Sequence, residues 1–159
     1  MANDRIVINT GPLILLGKID ALEVVGKLPF QFVCPPAVRA ELDDGVSDGK
    51  DAVAPVWLKV VELSAPLSPM VEMSLDRGEA EVIQLAMENG IATVCIDDLR
   101  GRKIAEMCGL TVTGVLGLLG RAKHLGLIHR LRPLTDVLLQ KGGRYSPKLL
   151  HEFLTDFGE

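Results

Sequence analysis

Short apolar runs alternate with longer amphipathic segments along most of the chain. The runs predict strands at residues 5–9, 30–35, 57–63, 92–96 and 110–114. Apolar residues at three- and four-residue spacing predict helices at 10–26, 35–45, 76–90, 98–108, 115–125, about 133–141 and from Ser146 onwards, with a loop or short helix at 46–56 and a linker at 64–69. Apolar strands that alternate with helices are typical of a parallel sheet covered on both faces. We therefore predict an α/β fold with three layers, α/β/α, around a mainly parallel sheet.

The length and composition fit one globular domain. At 159 residues and 48% hydrophobic, the chain can bury a sizeable core. Residues 1–159 are predicted to form a single domain, with the helices from about residue 115 packing on the same core. No apolar run approaches the roughly 18 residues that a membrane span needs, and the first residues lack the basic start and apolar middle of a signal peptide. We therefore expect a cytoplasmic protein with no membrane partner.

Three cysteines, Cys34, Cys95 and Cys108, are scattered in apolar stretches. Their odd number and wide spacing fit neither a disulfide framework nor a zinc site. We expect reduced thiols in the core, as is usual for a cytoplasmic protein.

The net charge of −4 is unevenly distributed along the chain. Residues 1–99 carry a net charge of −9, and residues 100–159 carry +5. Such a division fits an acidic site that binds cations beside a surface that binds a polyanion. The uneven surface charge of an ordinary soluble protein is the alternative.

Polar side chains follow two of the predicted strands. Asn9 and Thr10 come at the end of the first strand, and Asp97 and Asp98 come directly after the strand at 92–96. In an open parallel α/β sheet, ligands bind beyond the carboxyl ends of the strands. Either Asp could instead cap the helix that follows it, and Asn9 and Thr10 could serve only the next turn or helix start.

Helical spacing separates other acids into inward and outward groups, because residues three or four apart share a face. Glu41 and Glu79 fall in register with apolar neighbours and are predicted to face the sheet. Glu81 is predicted to face solvent. Asp43 is predicted to pair with Arg39, four residues before it.

Asp97 also lies in register with apolar positions, so acids from three separate elements are expected to converge. A like-charge pair 4 Å apart costs about 1 kcal/mol in water and about 4 kcal/mol at an effective dielectric constant of 20. A bound Mg²⁺ or Mn²⁺ reverses the sign of that energy, because hard cations bind carboxylate oxygens. The chemistry that needs such a cluster is metal-assisted hydrolysis of a phosphodiester.

Four segments, in order, resemble those of PIN-domain proteins: "VINTGPLILLGKI", "CPPAVRAEL", "LDRGEAEVIQLAMENG" and "CIDDLRGRKIAEMCGLTVTGVLGLLGRAKHLGLI". They are most similar to the VapC-related branch, whose members carry "NTSPLI" and "GEAEAI" segments. The similarity covers the chain up to about residue 150. It implies a Mg²⁺- or Mn²⁺-dependent endoribonuclease, often the toxin of a toxin–antitoxin pair. The expected partners are then RNA, a small antitoxin protein and a second copy of the chain.

The resemblance also implies roles for individual residues. The family's acidic positions, which are the expected metal ligands, fall on Asn9, Glu41, Glu79, Asp97 and Asp98. The four acids among them are the expected catalytic residues. Apart from the resemblance, Thr10, Arg100 and Lys103 are the candidate RNA-binding residues, the two basic ones through phosphate. Basic residues at such spacing more often form a solvated helix face, which is the alternative for Arg100, Lys103 and also Arg102, with Glu106 four residues on.

Two positions depart from the family pattern. Asn9 stands where most nuclease members have Asp, and Gly11 stands where Ser is usual. An Asn carbonyl can bind a hard cation but carries no charge, so metal binding is expected to be looser. The alternative function is a catalytically impaired PIN-fold module that binds nucleic acid or an antitoxin. An α/β phosphotransfer domain is disfavoured, because no Asp ends the first strand.

Overall fold

The computed structural model describes residues 4–49, 52–141 and 144–159. Within these residues, one sheet contains β1 (Asp4–Ile8), β2 (Phe30–Cys34), β3 (Leu58–Val60), β4 (Thr93–Cys95) and β5 (Thr111–Thr113). All neighbouring strands pair in parallel, in the order β3-β2-β1-β4-β5. Helices flank this sheet, and the predicted α/β/α fold is confirmed.

The helices of the described residues are α1 (Thr10–Lys18), α2 (Leu22–Gly26), α3 (Pro36–Ser47), α4 (Pro69–Ser74), α5 (Arg77–Glu88), α6 (Leu99–Met107), α7 (Val115–His124), α8 (Arg132–Gln140) and α9 (Pro147–Asp156). Proline lies in the first turn of α3, α4, α8 and α9, where its missing N–H group has no helical partner to lose. Asp76, Asp98 and Ser146 cap α5, α6 and α9, each accepting a hydrogen bond from the N–H three residues on.

The structure differs from the predicted elements in several places. Residues 10–26 form two helices, because Asp20 adopts a positive φ of 54° between them. α3 continues past Gly45, and β3 is shorter than predicted. α4 was not predicted, because a six-residue helix is too short to show a clear period. Residues 50–51, in the predicted loop at 46–56, lie outside the described residues.

Buried apolar side chains form a cluster that runs from Ile6 in β1 to Leu154 in α9. Cys34 and Cys95 are buried, as predicted. The prediction of a core thiol is wrong for Cys108, because the end of α6 faces solvent and exposes this residue. Across the described part of the chain, no helix combines the length and apolarity needed to cross a membrane.

The strand order creates a switch point between β1 and β4. From β1 the chain moves outwards to β2 and β3, and later returns to the other side of β1 to form β4 and β5. Asn9, directly after β1, donates its backbone N–H to the carbonyl of Cys95 at 3.0 Å, which holds the two strand ends together. Open α/β sheets bind ligands in the crevice at such a point.

Candidate functional site

A cavity of about 960 Å³ opens at the carboxyl ends of β1 and β4. Seven of the eight residues predicted for the site line it: Asn9, Thr10, Glu41, Glu79, Asp97, Asp98 and Arg100. The eighth, Lys103, is exposed on α6 and does not belong to the lining. The structure therefore brings together acids from α3, α5 and the connection between β4 and α6.

Asn9 and Thr10 belong to the lining of this cavity and are buried. Among the described residues, Asn9 Oδ1 and Thr10 Oγ1 have no hydrogen-bond partner. Asn9 occupies the N-cap position of α1 but does not cap that helix with its side chain. A buried oxygen without a partner costs about 1–3 kcal/mol, so these atoms are available to a group bound in the cavity.

The sequence allows either of the two adjacent aspartates to cap α6, and the structure shows which one does. Asp98 Oδ2 accepts a hydrogen bond from the Gly101 N–H at 3.1 Å and caps α6. The capping interpretation is therefore right for Asp98, and Asp97 is not needed for it. Asp97 Oδ2 lies near Gly11. A Cβ added to Gly11 would be 3.8 Å from this oxygen, which is an ordinary contact distance.

Two glycines leave room for the glutamates. A Cβ on Gly78 would overlap Glu41 Oε1, and a Cβ on Gly101 would lie 3.0 Å from Glu79 Oε1. Real Cβ contacts at such distances are rare, because the atoms are then inside their van der Waals separation. The present positions of the Glu41 and Glu79 carboxylates therefore depend on these two residues having no side chain.

The environment of the acids disfavours their charged forms. Burial, followed by the negative charge of Asp76, raises the pKa of Glu79 to about 7. Burial also raises the pKa of Asp97. It raises the pKa of Glu41 too, and the nearby Thr10 hydroxyl offsets part of that rise without meeting the geometry of a hydrogen bond.

Glu81 is buried, so the prediction that it faces solvent is wrong. Its side chain is 5% exposed, and Oε2 pairs with Arg77 Nε at 3.0 Å. Helical spacing failed here because α5 packs against β1, β4, α3 and α4 and has little open face. Asp43 pairs with Arg39 at 2.9 Å, as predicted.

Several polar residues of the lining were not predicted as site residues: Lys18, Asp76, Arg144 and Tyr145. Asp76 was expected only to begin a helix, and its Oδ1 does accept the Glu79 N–H at 2.8 Å. The other three carry no motif, and only the fold brings their segments to the cavity. Arg102 was expected to face solvent or pair with Glu106; it bonds instead to backbone carbonyls of Ile96 and Thr113.

The cavity is lined by carboxylate and amide oxygens, which are the ligands that hard divalent cations prefer. In the described ranges, Glu41, Glu79 and Asp97 form no ion pair with a basic side chain. However, no three acidic, histidine or cysteine side chains of the described residues are close enough to hold an ion together. The expectation that the acids are already near enough to share an ion is therefore not met. Like charges repel, and side-chain rotation would have to draw these carboxylates together.

The chain matches a family model described as a PIN domain over residues 5–159. It belongs to the PIN-domain family. No curated protein matches the sequence. PIN domains are in general nucleases that use divalent metal ions, and the acidic cavity of this PIN domain lies where an open α/β sheet places its ligands.

Proposed function

We propose that this PIN domain is a Mg²⁺- or Mn²⁺-dependent endoribonuclease. The observation that supports this most strongly is the opening of Glu41, Glu79 and Asp97, from three separate elements, onto one cavity at the switch point of the sheet. Burial has raised the pKa of each of these carboxyls, with no basic side chain of the described residues paired to it. A cation bound among them would remove the cost of keeping them ionised.

The roles of the acids follow from their oxygen atoms. Glu41, Glu79, Asp97 and Asp98 would hold the ion through carboxylate oxygens, and Asn9 through its neutral Oδ1. When bound, the ion supplies the positive charge that orients the phosphate, lowers the pKa of the attacking water and stabilises the leaving oxygen. Oδ2 of Asp98 also caps α6, so this residue would serve the ion and the helix start together.

Basic residues around the acids support a polyanionic substrate. Lys18, Arg100 and Arg144 line the cavity, and Lys103 is exposed on the same helix as Arg100. The hydroxyl of Thr10 is positioned as a further donor to a phosphate oxygen. RNA is proposed as the substrate because four segments of the chain resemble the VapC-related ribonucleases.

We extend the proposal to the toxin of a cytoplasmic toxin–antitoxin pair, with a small antitoxin protein and a second copy of the chain as partners. The same resemblance supports this role. Two exposed apolar side chains, Met73 at 86% and Leu99 at 67%, also border the cavity. A protein partner that covers the cavity would bury both.

Calorimetric titration with Mn²⁺ and an RNA cleavage assay with and without EDTA test the proposal. We expect saturable binding, cleavage of single-stranded RNA that EDTA stops, and loss of both in Asp97→Asn. Asp43→Asn is the matched control, because Asp43 is paired with Arg39 on the surface of α3. Cleavage that survives both EDTA and Asp97→Asn would exclude the proposed mechanism.

A second candidate is a catalytically impaired PIN module that binds RNA or an antitoxin. The observations that favour it are the neutral Asn9 in the cavity lining and the absence of a preassembled group of three ligands in the described residues. Asn9→Asp separates the two candidates. A large gain in cleavage marks the natural chain as impaired, and an unchanged rate marks Asn9 as a working ligand.

A further inference from the structure

Arg102 lies on α6, but its guanidinium turns back towards the sheet. Its Nη1 donates to the carbonyl of Ile96 at 2.8 Å and to the carbonyl of Thr113 at 3.3 Å. These carbonyls stand at the carboxyl ends of the adjacent strands β4 and β5. One side chain therefore joins two strand ends next to the cavity.

The carbonyl of Ile96 needs this donor because the sheet ends there. The N–H of Ile96 still bonds to the carbonyl of Thr113 at 3.1 Å, but β5 stops at Thr113 and the chain enters α7 at Val115. Ile96 is fully buried, so water does not replace the missing strand partner. An unsatisfied buried carbonyl costs about 1–3 kcal/mol, and Arg102 removes that cost.

The hydrogen bond from Arg102 to the Ile96 carbonyl also fixes the backbone orientation at Asp97. The carbonyl of Ile96 and the N–H of Asp97 belong to one planar peptide unit, so holding the carbonyl orients the residue that follows. Gly114 separates the two side chains: a Cβ there would lie 3.0 Å from Arg102 Nη1 and 3.6 Å from Asp97 Oδ1. Among the described residues, Arg102 forms no ion pair with an acid, and the Val115 N–H at the start of α7 acts with its charge to lower the pKa of Asp97 against the effect of burial.

We propose that Arg102 is a positioning residue for Asp97, which orients the Ile96–Asp97 peptide so that the carboxylate faces a divalent cation in the cavity. This inference rests on the proposed metal-dependent function. Arg102 itself touches neither ion nor substrate. Its nearby positive charge favours the ionised form of Asp97 without neutralising it through direct contact.

The test is Mn²⁺ titration of Arg102→Met, Arg102→Lys and Gly114→Ala, with circular dichroism to confirm folding. We expect Arg102→Met to raise the Mn²⁺ dissociation constant about 10-fold, which is the effect that loss of an outer positioning contact has in other metal sites. Arg102→Lys, which keeps a donor and the charge, should recover part of that loss. Lys148→Met, which removes one exposed cation on α9, is the control and should bind Mn²⁺ as the natural chain does.

Gly114→Ala keeps the test decisive if Arg102→Met does not fold. Gly114 has an extended backbone that alanine also adopts, so the added Cβ acts by displacing Arg102 Nη1 at 3.0 Å, whereas its 3.6 Å contact with Asp97 Oδ1 is ordinary. Weaker Mn²⁺ binding in a folded Gly114→Ala chain supports the inference. Unchanged or tighter Mn²⁺ binding in folded Arg102→Met or Gly114→Ala overturns the role of Arg102 and leaves the proposed function standing. A natural chain that binds no Mn²⁺ overturns both.

Discussion

Glu41 on α3 lies so close to Gly78 on α5 that a Cβ added at residue 78 would overlap Glu41 Oε1. The contact joins two elements that are separated by a loop, a strand and a further helix in the sequence. It places one of the site carboxylates against the backbone of the helix that carries another, Glu79. The geometry of the candidate site is thus coupled to the packing of α3 on α5.

Gly78→Ala should disturb the site although alanine favours helices. The added methyl group would overlap Glu41 Oε1, which is at the far end of a flexible side chain, so the Glu41 carboxylate should rotate away from its present position. We expect weaker Mn²⁺ binding with little change in the melting temperature. Gly17→Ala is the matched control, because its Cβ would meet only ordinary contacts at 3.5 Å. A Gly78→Ala chain with natural Mn²⁺ affinity would show that the position of Glu41 is unimportant.

Stability without metal should fall as the pH rises from about 4.5 towards 7. Glu79 has an ordinary pKa of 4.5 and a folded-state pKa of about 7, so the folded chain binds the proton more tightly than the unfolded chain. The resulting stabilisation is fully present below the ordinary pKa and is lost as the pH rises through the folded one. Urea denaturation in EDTA between pH 4.5 and 8 measures this.

The glutamine variant supplies the control for that pH dependence. Glu79→Gln removes the titrating group, so its stability should change less over the same window. Glu41 and Asp97, whose pKa values are also raised, leave a residual dependence of the same sign. Parallel curves for the natural chain and Glu79→Gln would contradict the raised pKa of Glu79.

The two adjacent aspartates should respond oppositely to loss of charge. Asp97→Asn removes a carboxylate whose burial disfavours ionisation, so we expect the melting temperature in EDTA to be unchanged or higher. Asp98→Ala removes the cap of α6, which typically costs about 1 kcal/mol. That loss corresponds to roughly 2–4 °C in a chain of this size. Asp98→Ser, which can still cap, should restore the melting temperature; equal melting in all variants would exclude the capping role.

Glu159 should stabilise the C-terminal helices through an ionised carboxylate. Its oxygens accept hydrogen bonds from Lys123 Nζ at 2.7 Å, the Leu131 N–H at 2.7 Å and the Arg132 N–H at 3.0 Å. Burial acts to raise the pKa of this carboxyl, but these donors outweigh it and lower the pKa from 4.5 to about 2. The stabilisation is present above pH 4.5 and is lost as the pH falls towards 2.

Thermal melting of Glu159→Gln tests this at neutral pH and near pH 3. A hydrogen bond to a charged group is stronger than one to a neutral group, and Glu159→Gln removes the charge from three of them, so the variant should melt at a lower temperature than the natural chain at pH 7. The difference should shrink near pH 3. Glu152→Gln, an exposed acid on α9, is the control and should melt normally. An equal difference in melting temperature at both pH values would mean that the charge of Glu159 does not stabilise the chain.

The fold could be predicted because its strands are short and their buried positions are apolar. The cavity could be predicted because Asn9 and Asp97 follow strands whose carboxyl ends meet at one edge. In both cases the signal lies within a few residues of sequence. Asp43 and Arg39 were also paired correctly, because four residues along an exposed helix face is a local distance.

The remaining features depend on contacts between distant segments. Glu81 was misassigned because helical spacing reveals a face but not whether neighbouring elements cover it. Arg102 was misassigned because its partners, the carbonyls of Ile96 and Thr113, are backbone atoms left over where the sheet ends. The distances between the carboxylates could not be predicted from the sequence either, since they depend on side-chain rotation.

The most direct test of the account is anomalous diffraction at the manganese edge from crystals grown with Mn²⁺. We predict a peak in the cavity, bound by carboxylate oxygens of Glu41, Glu79 or Asp97 at roughly 2–2.5 Å. The same crystals of Asp97→Asn should show no peak there. A cavity without a peak in the natural chain, at Mn²⁺ concentrations that support cleavage, would contradict the claim that these acids form a metal site.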